Sequence, residues 1–239
     1  MMIPSNSENK VAIVITAAGS STRMGGCVKK EYLPLGNGTV LSACVNAFKE
    51  AAKNQENGFN ISHLIVTVPA NGSAEAAKAL GAFAQDVELV EGSNTRQKSI
   101  FNALEYLAKA KVKPDYVLIH DGARPFVSEK IICFVVAGAK EYGASAPGIA
   151  PTDTIKKIDD SGFIVEHLER KALTAIQTPQ GFEFSKLYEA HKNAASDGKE
   201  YTDDTEIWAR YCGNVKLVEG EPKNLKITYP GDLEKGAAL

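Results

Sequence analysis

Cysteine is scarce in this chain. Cys27, Cys44, Cys133 and Cys212 stand far apart with no C-x-x-C pair. That spacing excludes a zinc ribbon and a disulfide framework, and isolated thiols suit a reducing cytosol. The histidines at positions 63, 120, 167 and 191 are equally scattered, with no H-E-x-x-H and no Ser or Cys nucleophile setting around them. An excess of charge of one sign is also missing. Against 29 acidic residues there are 27 Lys and Arg, a net charge of -2, so nothing marks a nucleic-acid partner or an anionic membrane surface, and any phosphate recognition must be local. No apolar run approaches the roughly 20 residues of a membrane span. The opening MMIPSNSENK is polar and lacks the basic and apolar regions of a signal peptide, so a cytoplasmic location is expected. The two common phosphate motifs, G-x-x-x-x-G-K-[ST] and G-x-G-x-x-G, are both absent.

What the chain does have begins at its N-terminal end. Val11 to Ile15 is a continuous apolar, β-branched run, the pattern of a strand buried on both faces of a parallel sheet. Seven small residues follow, Thr16 to Thr22, and small side chains let backbone N–H groups approach an anion closely. Arg23, Lys29 and Lys30 come next, so strand, loop and cations together suggest a phosphate cradle; a surface loop with solvated lysines is the plainer alternative. Further strands are expected at Leu64 to Val68, Val87 to Val90, Tyr116 to Ile119 and Ser145 to Ala150. Helices are expected over Val40 to Lys53, over Ser73 to Ala84 with Ser73 as N-cap, from Ile100 to Leu107, over Glu129 to Glu141, from Glu183, and after Thr202-Asp203-Asp204. Val215 to Val218 and Asn224 to Thr228 read as strands. This alternation predicts one Rossmann-like, doubly wound α/β domain over 1–239 with a mostly parallel sheet, whose ligands sit at the carboxyl ends of the strands. Within it, 154–168 carries the turn cluster Asp159-Asp160-Ser161-Gly162 between two extended runs. This hairpin is too poor in large apolar residues to form a core alone, so it projects as an arm.

Two loops fall at the carboxyl edge. His120-Asp121-Gly122-Ala123-Arg124-Pro125 ends a strand, and its aspartate can bind a hard cation shared with substrate phosphates, or simply pair with Arg124. Glu91 to Ser99 brings Arg96 and Ser99 to a helix start, where polar groups and free N–H donors can read a base, bind phosphate or merely cap the helix. Thr154, Arg170, Thr178 and Lys226, read alone, are surface residues, and Asp203 and Asp204 are helix-capping acids.

In order, the pieces Ala17-Ala18-Gly19 with Arg23-Met24, then Lys30, G-x-x-x-R-x-x-S from Gly92, D-G-A-R-P from Asp121, D-T-I-K from Asp153, E-R ending at Arg170, T-P-Q from Thr178, T-D-D from Thr202 and N-L-K-I-T with D-L resemble the 2-C-methyl-D-erythritol 4-phosphate cytidylyltransferase family from Val11 to Leu233. Ser21 stands where a second glycine is usual, Lys29 where a proline is, and Asn94 where some members have Asp. The resemblance implies the nucleotide-diphospho-sugar transferase type of α/β fold. It makes Arg23 and Lys30 the pair that stabilises the transition state, and Arg170 and Lys226 the pair that positions the acceptor phosphate. It makes Asp121, Thr154 and Thr178 acceptor or metal contacts (Asp121 for Mg²⁺), and Ala17 to Gly19, Ser93, Asn94 and Ser99 the nucleotide cradle and cytosine reader, with Arg96, Gly122 and Arg124 in the surrounding loops. The implied substrates are CTP and a small sugar or polyol phosphate. Because the thinly apolar hairpin is flanked by Thr154 and Arg170, which resemble acceptor-site residues, a homodimer with exchanged arms is expected. A phosphate monoester nucleophile with a second pKa of about 6 needs no general base, so a site rich in cations without a catalytic triad suits it. Ribitol-5-phosphate cytidylyltransferase is the near alternative. A Rossmann oxidoreductase is disfavoured by the missing fingerprint, and a non-catalytic relative by the presence of Arg23 and Lys30.

Overall fold

A computed structural model describes residues 9–19, 29–229 and 231–237. Strand β1 (Asn9–Thr16) is the middle of the molecule. Its odd residues Val11, Ile13 and Ile15 bury against one set of helices, and its even residues Ala12 and Val14 against the other. A strand buried on both faces has no polar side to show, which is why its sequence is an unbroken apolar run.

From β1 the chain passes through two short paired strands, β2 (Pro34–Leu35) and β3 (Gly38–Thr39), into helix α1 (Val40–Lys53). Thr39 and Ser42 close a reciprocal capping box at the start of α1. Strand β4 (Phe59–Val68) returns parallel to β1; helix α2 (Ser73–Leu80) and β5 (Glu88–Glu91) continue outward. Helix α3 (Arg96–Lys109) then carries the chain to the opposite side of β1, where β6 (Tyr116–Asp121) pairs with it. The strand order therefore reverses between β1 and β6, and a crevice opens outside their carboxyl ends.

Beyond β6 the sheet becomes mixed. Helix α4 (Glu129–Tyr142) leads to β7 (Ala144–Ile149), which does not pair with β6. The space between them is filled by β11 (Gln180–Glu183), antiparallel to both. Strands β8 (Lys156–Ile158) and β9 (Ile164–His167) form a separate antiparallel hairpin, and β10 (Ala175–Ile176) joins β7. Helix α5 (Phe184–Ser196), helix α6 (Asp204–Tyr211), strand β12 (Lys216–Glu219) on β7, and helix α7 (Asp232–Ala237) complete the chain.

Two local expectations are corrected, and one strand is added. Ser73 is the first residue of α2 rather than its cap: Gly72 holds the cap position, and α2 stops at Leu80, giving way to 3-10 turns over Gly81–Asp86. Residues 224–228 form no strand; the segment is held in irregular form by the Ile227 N–H on the Ala123 carbonyl (2.8 Å) and by the side chain of buried Asn224. The 180–183 segment is a strand although its sequence, Gln-Gly-Phe-Glu, has no β-branched residue, because its pairing with β6 and β7 overrides propensity.

Candidate active site

The carboxyl ends of β1, β4, β5 and β6 surround a cavity of about 410 Å³. Thr16 and Asp121, register partners at the ends of β1 and β6, stand at the switch point, with Thr67 of β4 behind them. Two glycines allow the loops to close on one another. A Cβ on Gly92 would lie 2.5 Å from the Ala18 Cβ and 2.8 Å from the Ser99 Oγ; one on Gly122 would lie 2.8 Å from the Thr16 carbonyl oxygen. Any side chain at either point would force the walls apart. The Ser93 N–H donates to the Ser99 Oγ (2.9 Å), which fixes the loop before α3.

Asp121 is the electrostatic centre. It is 7% exposed, and its Oδ2 lies 2.7 Å from the Lys226 Nζ and 3.7 Å from the Arg124 Nε, while Oδ1 lies 3.6 Å from the Arg96 Nε. Burial pushes the Asp121 carboxyl up, but Arg96, Lys226 and Arg124 together hold it well below the usual carboxylate range. Its backbone is clamped as well. The Asp121 N–H donates to the Thr178 Oγ (3.0 Å), and that hydroxyl meets the His120 Nδ1 at 3.1 Å. The His120 Nε2 faces the Arg124 carbonyl at 3.0 Å. A carbonyl only accepts, so Nε2 carries the hydrogen, Nδ1 accepts from Thr178, and the Thr178 oxygen is left to accept from Asp121. Burial pulls the His120 imidazole down to about 4. It is neutral, and both its ring nitrogens are engaged in this clamp.

Two further elements bring cations in. Lys226 reaches Asp121 because the 224–228 segment lies along the loop after β6: the Arg124 Nη1 donates to the Asn224 carbonyl (2.8 Å), and the Asn224 Nδ2 donates to the Thr178 carbonyl (2.9 Å). Lys30 lines the cavity from the 3-10 turn over Lys30–Tyr32. Before it, Lys29 has φ -65 and ψ 136, the backbone that a proline would impose. The Lys29 Nζ donates to the Gly19 carbonyl, so a side-chain bond ties the loop where a pyrrolidine ring is absent.

Of the residues singled out from sequence, Ala18, Gly19, Lys30, Ser93, Asn94, Arg96, Ser99, Asp121, Gly122 and Lys226 all line this one cavity. Ala17 is buried just beneath it, its N–H on the Thr67 carbonyl. Thr178 and Arg124 stand behind Asp121 rather than on the wall. Thr154 and Arg170 are elsewhere: the Arg170 Nη2 donates to the Thr154 Oγ1 at 2.8 Å, both exposed at the base of the β8–β9 hairpin, and neither lines the cavity. Arg23 and Ser21 lie outside the described residues. The structure adds Thr16, Glu31, Thr67, Thr95 and Thr228 to the wall, and it adds Asp204 behind Arg96 at 2.7 Å. Thr16, which ends the apolar run of β1, was readable as an edge residue; Asp204, 108 residues from Arg96, carried no local signal.

A crevice at a sheet switch point, built from a small-residue loop and converging Lys and Arg side chains with no histidine or cysteine on its wall among the described residues, fits an α/β enzyme of the nucleotidyltransferase class. The comparisons narrow this to one family. The model of the 2-C-methyl-D-erythritol 4-phosphate cytidylyltransferase (IspD) family matches residues 11–239, and the chain belongs to that family. A relative of that name from Clostridium beijerinckii is 41% identical over 225 residues, covering 93% of this chain and 95% of its own. The crystal structure of 2-C-methyl-D-erythritol 4-phosphate cytidylyltransferase from Thermus thermophilus superposes with a TM-score of 0.75 at 33% identity, covering 96% of this chain and 98% of that one. A 4-diphosphocytidyl-2C-methyl-D-erythritol synthase structure from Anaerococcus prevotii gives a TM-score of 0.80 at 26% identity, over 97% and 96% of the two chains.

Proposed function

We propose that this chain transfers the cytidylyl group of CTP to 2-C-methyl-D-erythritol 4-phosphate and releases pyrophosphate, a step of non-mevalonate isoprenoid precursor synthesis. The observation that carries the reading is the grouping of Lys226, Arg96 and Arg124 within 4 Å of Asp121, in a cavity that Lys30 also lines. Joining two polyanions is a problem of positioning and charge neutralisation, and it asks for fixed cations rather than a general base. His120, bound through both nitrogens and neutral, is not available as a base.

In this reading the acceptor phosphate oxygen attacks the α-phosphorus of CTP, the α–β bridging bond breaks, and the electron pair leaves on pyrophosphate. Lys30 faces the charge that builds on the transferring group, a role that the family resemblance also gives to Arg23, Lys226 holds the acceptor phosphate beside Asp121, and the 93–99 loop takes the cytosine. A divalent cation such as Mg²⁺ fits the donor set in one way. Among the described residues no group of three or more His, Cys, Asp or Glu could hold a metal, so Asp121 would offer one carboxylate and the nucleotide phosphates the other ligands. Such an ion supplies charge neutralisation on those phosphates.

The same reading makes the molecule a homodimer with exchanged arms. Ile158, Phe163, Ile164 and Val165 on the hairpin are more than half exposed, an apolar surface that a two-fold partner would cover. Thr154 and Arg170, remote from their own cavity, would then serve the partner's.

Pyrophosphate release tests the assignment. With wild-type chain, CTP and the erythritol phosphate support turnover, while ATP and GTP, too large for the 93–99 loop, give almost none. Comparable kcat/KM with ATP overturns the cytidylyl assignment, and a preference for ribitol 5-phosphate overturns the acceptor.

A further inference from the structure

Arg96 is held from two sides. On the cavity side its Nε faces the Asp121 Oδ1 at 3.6 Å; on the far side its Nη1 donates to the Asp204 Oδ2 at 2.7 Å. Asp204 is the first residue of α6 and is 1% exposed. A carboxylate this deep must have both oxygens engaged. Its second oxygen, Oδ1, takes the Nε2 of His191 at 3.0 Å. His191, on α5, has a side chain with no exposed surface, and its ring lies parallel to that of Phe101 on α3, at 6.4 Å between centroids. The carboxylate only accepts, so the hydrogen sits on Nε2. The line His191–Asp204–Arg96 thus runs from the inside of the α5–α6 layer to the cavity wall: His191 meets Asp204 through Nε2, and Asp204 bonds on one side to His191 and on the other to Arg96.

We propose that His191 is a positioning residue for nucleotide binding: it fixes the Asp204 carboxylate, which in turn fixes the Arg96 guanidinium in the cavity. This rests on the nucleotide-binding reading given above. The physical reason is geometric. With His191 donating to Oδ1, the carboxylate plane is set, and Oδ2 can meet Arg96 in only one orientation. Without that donor, Oδ1 is left unsatisfied in a dry layer, and Asp204 is free to turn both oxygens toward the guanidinium. The Arg96 guanidinium is then drawn back from the cavity wall toward α6. Thr154 and Arg170, which would serve the acceptor, are untouched, so the effect falls on one substrate.

Two variants read the relay. His191→Phe keeps the ring on Phe101 but removes the donor, whereas His191→Gln places an amide N–H near the former Nε2. The Phe variant is expected to raise the KM for CTP, and the Kd for CTP by calorimetry, about tenfold, the factor for losing one hydrogen bond to a charged group. Its kcat and its KM for the acceptor stay within about twofold of wild type, since Lys226 keeps the Oδ2 of Asp121, the oxygen that Arg96 does not face, and Lys30 is no part of the relay. The Gln variant returns the CTP constants toward wild type. Asp204→Asn, which breaks the relay at its centre with no change in volume, is expected to show the same selective rise, and it decides the matter if His191→Phe does not fold. Unchanged CTP constants in Asp204→Asn, equal losses in the Phe and Gln variants, or a fall in kcat that only tracks the folded fraction would overturn the proposal. A wild-type chain that neither turns over nor binds CTP is instead a failure of the functional reading.

Discussion

Replacing Asp121 with asparagine removes one charge and almost no volume, so it isolates the electrostatics of the site. In the wild type three cations share this carboxylate: Lys226 at 2.7 Å, Arg96 at 3.6 Å and Arg124 at 3.7 Å. Removing one partner of a buried ion pair costs about 3–5 kcal/mol. The Lys226 side chain is 37% exposed and recovers water, and Arg96 keeps Asp204, so the expected loss is smaller, about 2–3 kcal/mol. For a chain of this length that is a fall in Tm of roughly 4–12 °C. The pH dependence is the sharper signature. The folded Asp121 carboxyl is held well below its ordinary value, so its stabilisation is complete above the unfolded pKa of about 3.9 and drains away as pH falls below that point. At pH 3 the gap in unfolding free energy between wild type and Asp121→Asn should have narrowed by about 1.2 kcal/mol. Denaturant melts of both chains at pH 7, 5 and 3 measure this. No gap at pH 7, or the same gap at pH 5 and pH 3, refutes the argument.

Lys30→Ala should lower kcat by roughly 10²-fold or more while weakening CTP binding far less, by analogy with the loss of one preorganised charge donor; a variant that keeps most of its kcat in steady-state assays removes Lys30 from the chemistry. Co-refolding inactive Lys30→Ala with inactive Arg170→Ala should restore roughly a quarter of wild-type activity, because half of randomly paired dimers are mixed and one of their two sites is intact. A mixture that stays dead means that each site is built within one chain.

The layered α/β frame was legible because it is written locally. The apolar run Val11 to Ile15, the three-and-four spacing through Leu41, Val45 and Phe48, and the Asp203 position before a helix report on their own surroundings. Strand β11 was not legible, since Gln180 to Glu183 becomes a strand only by filling the gap between β6 and β7. The 224–228 run misled for the opposite reason. It has the alternation of a strand, yet its N–H and side-chain groups are taken by the loop after β6. The cavity residues of the first loops could be found from small side chains next to cations, a pattern confined to a few positions. The support behind them could not. Thr178 looks like a surface threonine in sequence, but it is 5% exposed and joins Asp121 to His120, and nothing in the sequence announces the pairing of Arg96 with Asp204, 108 positions on.

That hidden layer answers a physical difficulty of such a site. Fixed cations gathered in a cavity repel one another, and a resting enzyme built from them alone would be unstable. Here the opposing charge is internal. Asp121 lies among Lys226, Arg96 and Arg124, and Asp204 lies behind Arg96, both acids kept ionised by those same cations against the effect of burial. The two acids differ in what a substrate can do to them. Asp204, 1% exposed and bonded through both oxygens, stays with Arg96 whatever enters. Asp121 is on the wall, so an arriving phosphate competes with it directly for Lys226. The competition favours the ligand that brings more charge: a dianionic monoester or a triphosphate can draw the Lys226 ammonium across, and a neutral polyol cannot. In the proposed reading, discrimination for a phosphorylated acceptor therefore follows from the pairing of Lys226 with Asp121 in the resting site, before any contact with the carbon skeleton is considered.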